Sequence, residues 1–160
     1  MKEGVVAFAF GTPATIEPNM RIATMAMQRS NLSEGRIFTQ RDVPISRHFA
    51  VNYITEPDEG PPPTLRIARW AVKMAADFQI DVLWIACAEP HVWRCKRDMR
   101  YAIQEAGAAI TLMLCPEART KGGWFCSEST LPRTQNVDAW RKRERILEML
   151  PMFVYTRVAN

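Results

Sequence analysis

An α/β domain built on a mostly parallel sheet of about four to five strands is the fold this sequence predicts, and three observations carry the prediction. Residues 5–10 are an unbroken apolar run of strand length and 81–88 is apolar after its first residue, Asp81, the pattern of strands covered on both faces. Residues 64–78 and 91–106 place apolar side chains every three or four positions, the spacing of a helix that buries one face. Residues 81–114 therefore read as strand, helix, strand, and parallel strands joined this way need a right-handed crossover. At 160 residues the chain has room for one such domain, 1–160, with its own core, and not for a second.

The first strand stops at Gly11, a turn residue, and a proline-bearing loop follows it. Asn19 is a good N-cap for a helix reaching about residue 28, with Met20, Ala23 and Met27 on one face. Short strands are expected at 36–39 and 50–55, separated by a polar loop. The proline-rich stretch 56–63 cannot be regular structure, and Thr64 is placed to cap the helix in which Leu65, Ala68, Val72 and Ala75 share a face. Strand 81–88 passes through Pro90 into the helix 91–106, which ends at Gly107, the residue type best suited to a left-handed C-cap. A further buried strand at 109–114 closes at Cys115 and Pro116. Residues 116–137 show no sustained period, and so long a loop in a compact domain is often a lid or a binding loop. A helix at 138–150 is interrupted at Pro151, and 152–158 is expected to resume as helix.

Lysine and arginine number 21 against 17 aspartate and glutamate, a mild net charge of +4. The excess is local: Arg94, Lys96, Arg97 and Arg100 form one cluster, and Arg141, Lys142, Arg143 and Arg145 another. Such asymmetry favours acidic ligands or partners, nucleic acid among them. No apolar run approaches the roughly 20 residues that a membrane span needs. The start, Met-Lys-Glu-Gly, lacks the zones of a signal peptide, so a cytoplasmic protein is expected. The four cysteines lack C-x-x-C spacing and read as reduced thiols in or near the core.

In an open parallel sheet, ligands bind beyond the carboxyl ends of the strands, where adjacent crossovers diverge. Four post-strand segments should gather there: Gly11 and Thr12, the loop leading to Thr64, residues 89–94, and Cys115 onward. The sharpest signal is His91-Val-Trp-Arg94. A cation in the first turn of a helix opposes its macrodipole, so Arg94 points to an anion seated between it and the free backbone N–H groups. An ion pair with Asp98, one turn on, is the local alternative. His91 is the candidate catalytic residue, as acid or base, against the alternative of a helix cap or a surface side chain.

Gly11 allows close approach of a ligand, and Thr12 and Thr15 could donate hydroxyl hydrogen bonds to it. Asn19, Arg21, Glu59, Thr64 and Arg143 complete the candidate ligand-binding set. Neither a Gly-x-Gly-x-x-Gly fingerprint nor a P-loop is present. Cys87, His91 and Cys95 are spaced by four with Cys115 on a neighbouring strand, but the strand-to-helix break spoils that spacing for zinc, and no metal site is assigned. Cys87 as nucleophile with His91 as base is a parallel option. Trp124, beside Gly122 and Gly123, is either a ligand-stacking surface or a loop anchor. Glu144 lies among the arginines of the last helix and could orient one of them by an ion pair. The run 141–145 is itself either a solvated face or a phosphate contact.

The order of these features resembles the domain-of-unknown-function family that includes the bacterial YdcF and SanA proteins. The likeness rests on the first strand ending at Gly11, Glu59 with Thr64, His91-Val-Trp-Arg94, and the pair Arg143-Glu144, and it spans most of the chain. Three departures stand out: one glycine in a loop that is usually glycine-rich, Arg66 in a place that tends to be asparagine, and Cys87-Ala-Glu-Pro in place of a hydroxyl-bearing approach to the histidine. The resemblance implies a three-layer Rossmann-like domain with a pocket for a small anionic or nucleotide-like molecule, S-adenosylmethionine being one suggestion; binding would not by itself imply methyl transfer. The function expected is thus a ligand-binding α/β domain, with hydrolase or transferase activity left open. The alternative is a non-enzymatic module that binds nucleic acid or protein through its basic helices. A homodimer is compatible with either.

Overall fold

Five strands, β1 (Glu3–Ala7), β2 (Arg36–Thr39), β3 (Val51–Tyr53), β4 (Val82–Ala86) and β5 (Thr111–Leu114), lie in the order β3-β2-β1-β4-β5, every neighbouring pair parallel. The computed structural model describes residues 1–56 and 61–159, and Glu59 lies outside them. The helices are α1 (Glu17–Ser33), α2 (Thr64–Asp77), α3 (Val92–Ala106), α4 (Val137–Met149) and α5 (Met152–Val158). The β1-to-β2 crossover steps one way along the sheet, and those from β3 to β4 and from β4 to β5 step the other way. Crossovers of one hand then place α1 on one face and α2 with α3 on the other, giving three layers of a Rossmann-like α/β fold. The α2 and α3 helices pack side by side.

The central strands β1 and β4 are buried nearly throughout, as their continuous apolar runs require. β5 departs from the expected buried strand. It begins at Thr111 and alternates exposed with half-buried residues, because it is an edge strand with a neighbour on one side only.

Helix α1 outruns its expected end at residue 28. Its last turns are polar, but Arg29 bonds Glu3 at 2.5 Å and covers the Trp84 ring, and the Ser30 hydroxyl donates to the Gly35 carbonyl. Those tertiary bonds hold a segment whose own periodicity is weak. Glu34 then stops it in the left-handed region, at φ 50°. Helix α3 ends as expected, on Gly107 at φ 59°. Two expected caps are corrected. Ile16, not Asn19, precedes α1, and Pro63 precedes α2, with Thr64 as its first helical residue and no side-chain cap at either position.

The long segment between β5 and α4 contains two short 3₁₀ turns, Pro116–Arg119 and Pro132–Thr134, and is pinned down along its length. Trp124 is 1% exposed and its indole N–H donates to the Thr120 carbonyl at 2.7 Å. The Thr130 N–H donates to the Thr12 carbonyl at 2.8 Å. This loop is seated on the carboxyl end of β1 partly because Gly11 has no side chain. A Cβ there would come within 2.5 Å of the Ser129 hydroxyl, at a φ of +99° that favours glycine.

Candidate functional site

β1 and β4 are the two strands at which the crossovers diverge, so the crevice beyond their carboxyl ends is the switch point of the sheet. A cavity of about 210 Å³ lies there, walled by residues 8–11 after β1, the start of α2, His91 and Arg94 at the start of α3, the 131–134 turn, and residues of α4 and α5. Its walls bring together Gly11, Thr64, His91, Arg94 and Arg143 from the sequence-derived set.

His91 sits at the centre of this arrangement and is 5% exposed. The Phe8, Phe10 and Trp140 rings surround it, the last edge-on at 5.3 Å. Its Nε2 lies 3.2 Å from the Thr64 hydroxyl and 3.1 Å from Arg94 Nη2. An arginine can only donate, so Nε2 is the acceptor and the imidazole is neutral with its proton on Nδ1, which has no hydrogen-bond partner among the described residues. Burial first, and then the guanidiniums of Arg94, Arg143 and Arg133, hold the His91 pKa well below its ordinary value. A general base needs the lone pair that Arg94 now occupies. In this arrangement the histidine serves to position a guanidinium ahead of moving a proton.

Arg94 does not pair with Asp98. Its Nη1 lies 3.3 Å from the Glu144 carboxylate, brought from α4, and its Nε has no partner among the described residues. Arg143 shares the same Glu144 oxygen at 3.4 Å. Glu144 is raised above the usual carboxylate range by burial, which outweighs the arginines around it. Burial and the neighbouring Arg94 push the Arg143 guanidinium down to about 10. Arg133, delivered by the 132–134 turn, also lines the cavity; it has no hydrogen-bond or ion-pair partner among the described residues, and its pKa is lowered by burial and by Arg94. Sequence reasoning placed a binding loop at 116–137 but did not single out Arg133, which sits in an aperiodic stretch with nothing local to mark it.

The remaining candidates serve the loops. The Asn19 side chain accepts from the Phe10 N–H at 2.8 Å and donates to the Gly11 and Pro13 carbonyls at 3.0 and 3.1 Å, clamping the turn after β1. Arg21 stacks on Trp124 at 3.8 Å and donates to the Gly122 and Gly123 carbonyls. Trp124 is thus placed as a loop anchor. The hydroxyls of Thr12 and Thr130 bond each other. Arg141, Lys142 and Arg145 are exposed on α4, away from the cavity wall that Arg143 joins. Cys87, Cys95 and Cys115 are fully buried, and burial pushes the Cys115 thiol up to about 12. Among the described residues, no group of three or more His, Cys, Asp and Glu side chains is placed to hold a metal ion. No described helix is long and apolar enough to cross a membrane.

The neutral, buried His91 has a measurable consequence. Its folded-state pKa is depressed, so the stability linked to it is present above about 6.5, the unfolded value, and is lost as pH falls toward the folded value. The loss should approach about 1.4 kcal/mol per pH unit below 6.5. Urea titrations of the parent and of His91→Gln, compared pH by pH, isolate this contribution from the opposing ones of Asp98 and Glu144. Parallel profiles for the two proteins would contradict it.

Compared with family models and with curated proteins, the chain matches none.

Proposed function

We propose that this domain binds a small anionic or nucleotide-like molecule in the cavity at the β1–β4 switch point, with Arg94, Arg133 and Arg143 as the charge-bearing contacts. The supporting observation is the convergence of those three guanidiniums, from three separate elements, on one cavity beside a neutral histidine. Bringing like charges together in a partly buried place costs stability, and an anion would offset that cost. Gly11 and Thr64 border the same space and are suited to neutral contacts. A transferase or hydrolase step would need Arg94 to move onto the bound anion and release His91 Nε2. Binding is therefore the first activity to test.

A thermal-shift screen with nucleotides, S-adenosylmethionine, sugar phosphates and inorganic anions tests it. A binder at about 100 times its Kd adds about 2.7 kcal/mol, which is several degrees for a chain of this size. Arg94→Ala and His91→Ala should remove the shift. A screen in which no anion raises the melting temperature would end this reading.

A further inference from the structure

Resting on the anion-binding reading above, we propose that the cavity selects a phosphate monoester in its doubly charged form, over carboxylates, sulfate esters and phosphate diesters. The argument is a charge balance in a confined space. Among the described residues, the only charged side chains lining the cavity are Arg94, Arg133 and Arg143, and the one carboxylate bonded to any of them is Glu144. Three guanidiniums against one carboxylate, among the described residues, leave two positive charges. His91 adds none, because its Nε2 accepts from Arg94. Asp98, buried one turn along the same helix as Arg94, is taken up by Arg97 at 3.1 Å and by the Tyr155 hydroxyl at 2.6 Å.

A single negative charge leaves one of these guanidiniums, Arg94 buried and the other two half-buried, without compensation, whereas a phosphoryl dianion neutralises the set. The donors also fit. Among the described residues Arg94 Nε is buried with no partner and Arg133 has none, so both can turn N–H groups toward phosphoryl oxygens without giving up a strong bond seen there. Arg94 would exchange only its bond to a neutral imidazole.

The space exceeds what the phosphoryl group needs. A volume of 210 Å³ is about seven waters' share of the liquid, and beside the polar Gln40, Thr64 and Thr134 the wall carries an apolar part: Phe8, Phe10, Ile67, Leu131 and the prolines 61–63. That apolar part makes no polar contact with inorganic phosphate. It suits the organic half of an ester.

Calorimetric titration at pH 8 and fixed ionic strength with four probes tests this: phenyl phosphate, phenyl sulfate, diphenyl phosphate and inorganic phosphate. Phenyl sulfate matches phenyl phosphate in shape with one charge fewer. Phenyl phosphate should bind at least about tenfold tighter than phenyl sulfate and diphenyl phosphate, which lack the second charge in a partly buried site, and than inorganic phosphate, which keeps that charge but has no ring for the apolar wall to cover. Arg133→Gln, which lowers the charge excess to one, should bring the phosphate-to-sulfate ratio close to one; Arg143→Gln serves in its place should that variant fail to fold. Glu144→Gln, which raises the excess to three, should increase the ratio. Equal binding of phenyl phosphate and phenyl sulfate overturns the dianion selection while leaving anion binding intact, and inorganic phosphate matching phenyl phosphate overturns the ester. If no probe binds, the anion-binding reading itself falls.

Discussion

Trp140→Ala is expected to lower stability by about 3–5 kcal/mol and to abolish anion binding in the cavity. Trp140 is 4% exposed, its ring lies 4.6 Å from Phe10 and 5.3 Å from His91, and its indole N–H donates to the Pro90 carbonyl at 3.1 Å. One side chain therefore docks α4 onto both the carboxyl end of β1 and the turn that presents His91. Because α4 also carries Arg143 and Glu144, losing the dock separates two of the three guanidinium-bearing elements. Arg94, which lies 5.0 Å over the same ring, loses its platform as well. At about 2–4 °C per kcal/mol for a chain of this size, the melting temperature should fall by about 10 °C in calorimetry. Trp140→Phe keeps an aromatic ring but loses the N–H and part of the indole volume, and should cost about 1–3 kcal/mol, less than alanine. An alanine variant as stable as the parent would show that α4 is held by something other than this ring.

The parts of the molecule that can be read from sequence are those whose signal is local. β1 and β4 are continuous apolar runs, α3 ends at a glycine, and both were readable because strand burial and helix capping are decided within a few residues. The rim of the sheet was readable for the same reason: segments that follow parallel strands come to one edge whatever their composition. Arg94 was marked by its opposition to the helix dipole, and that signal located the cavity. Its partner was not local. Pairing one helical turn on gives Asp98, but Asp98 is bonded to Arg97 and Tyr155, and Arg94 meets Glu144 instead, 50 residues away along the chain. Thr12, Asn19 and Arg21 lie close to the site in sequence but hold the loops around it, because the turn after β1 must be fastened both to α1 and to the segment 116–137. Arg133 shows the limit most clearly. Only the docking of that segment over Gly11 brings it to the cavity, and no pattern within the segment records the docking.

The second large effect is expected at a residue that touches the cavity nowhere. Asp98 is fully buried on α3, accepting from the Tyr155 hydroxyl at 2.6 Å and from Arg97 Nε at 3.1 Å. Arg97 in turn lies 3.7 Å over the Tyr155 ring and donates to the Leu147 carbonyl, so the carboxylate ties α3, α4 and α5 together. Asp98→Ala leaves a buried hydroxyl and a largely buried guanidinium without their acceptor and should cost about 3 kcal/mol. Tyr155→Phe removes one of those bonds and should cost about 1 kcal/mol. The charge on Asp98 is not what stabilises the junction. Burial raises its pKa above the ordinary carboxylate value in spite of Tyr155 and Arg97, so the stability linked to its proton is fully present below the unfolded value and is lost as pH rises through the folded one. Asp98→Asn keeps an acceptor without the charge, so it should cost less than Asp98→Ala and show a smaller loss of stability across that pH interval. Tyr155, Val158 and Ala159 form part of the cavity wall, so Asp98→Ala should also weaken anion binding from a distance, by releasing α5. Urea denaturation of the three variants at pH 4 to 7, with anion titration of each, reads both effects. If Asp98→Ala loses stability and binds anions like the parent, the wall formed by α5 is not needed for binding.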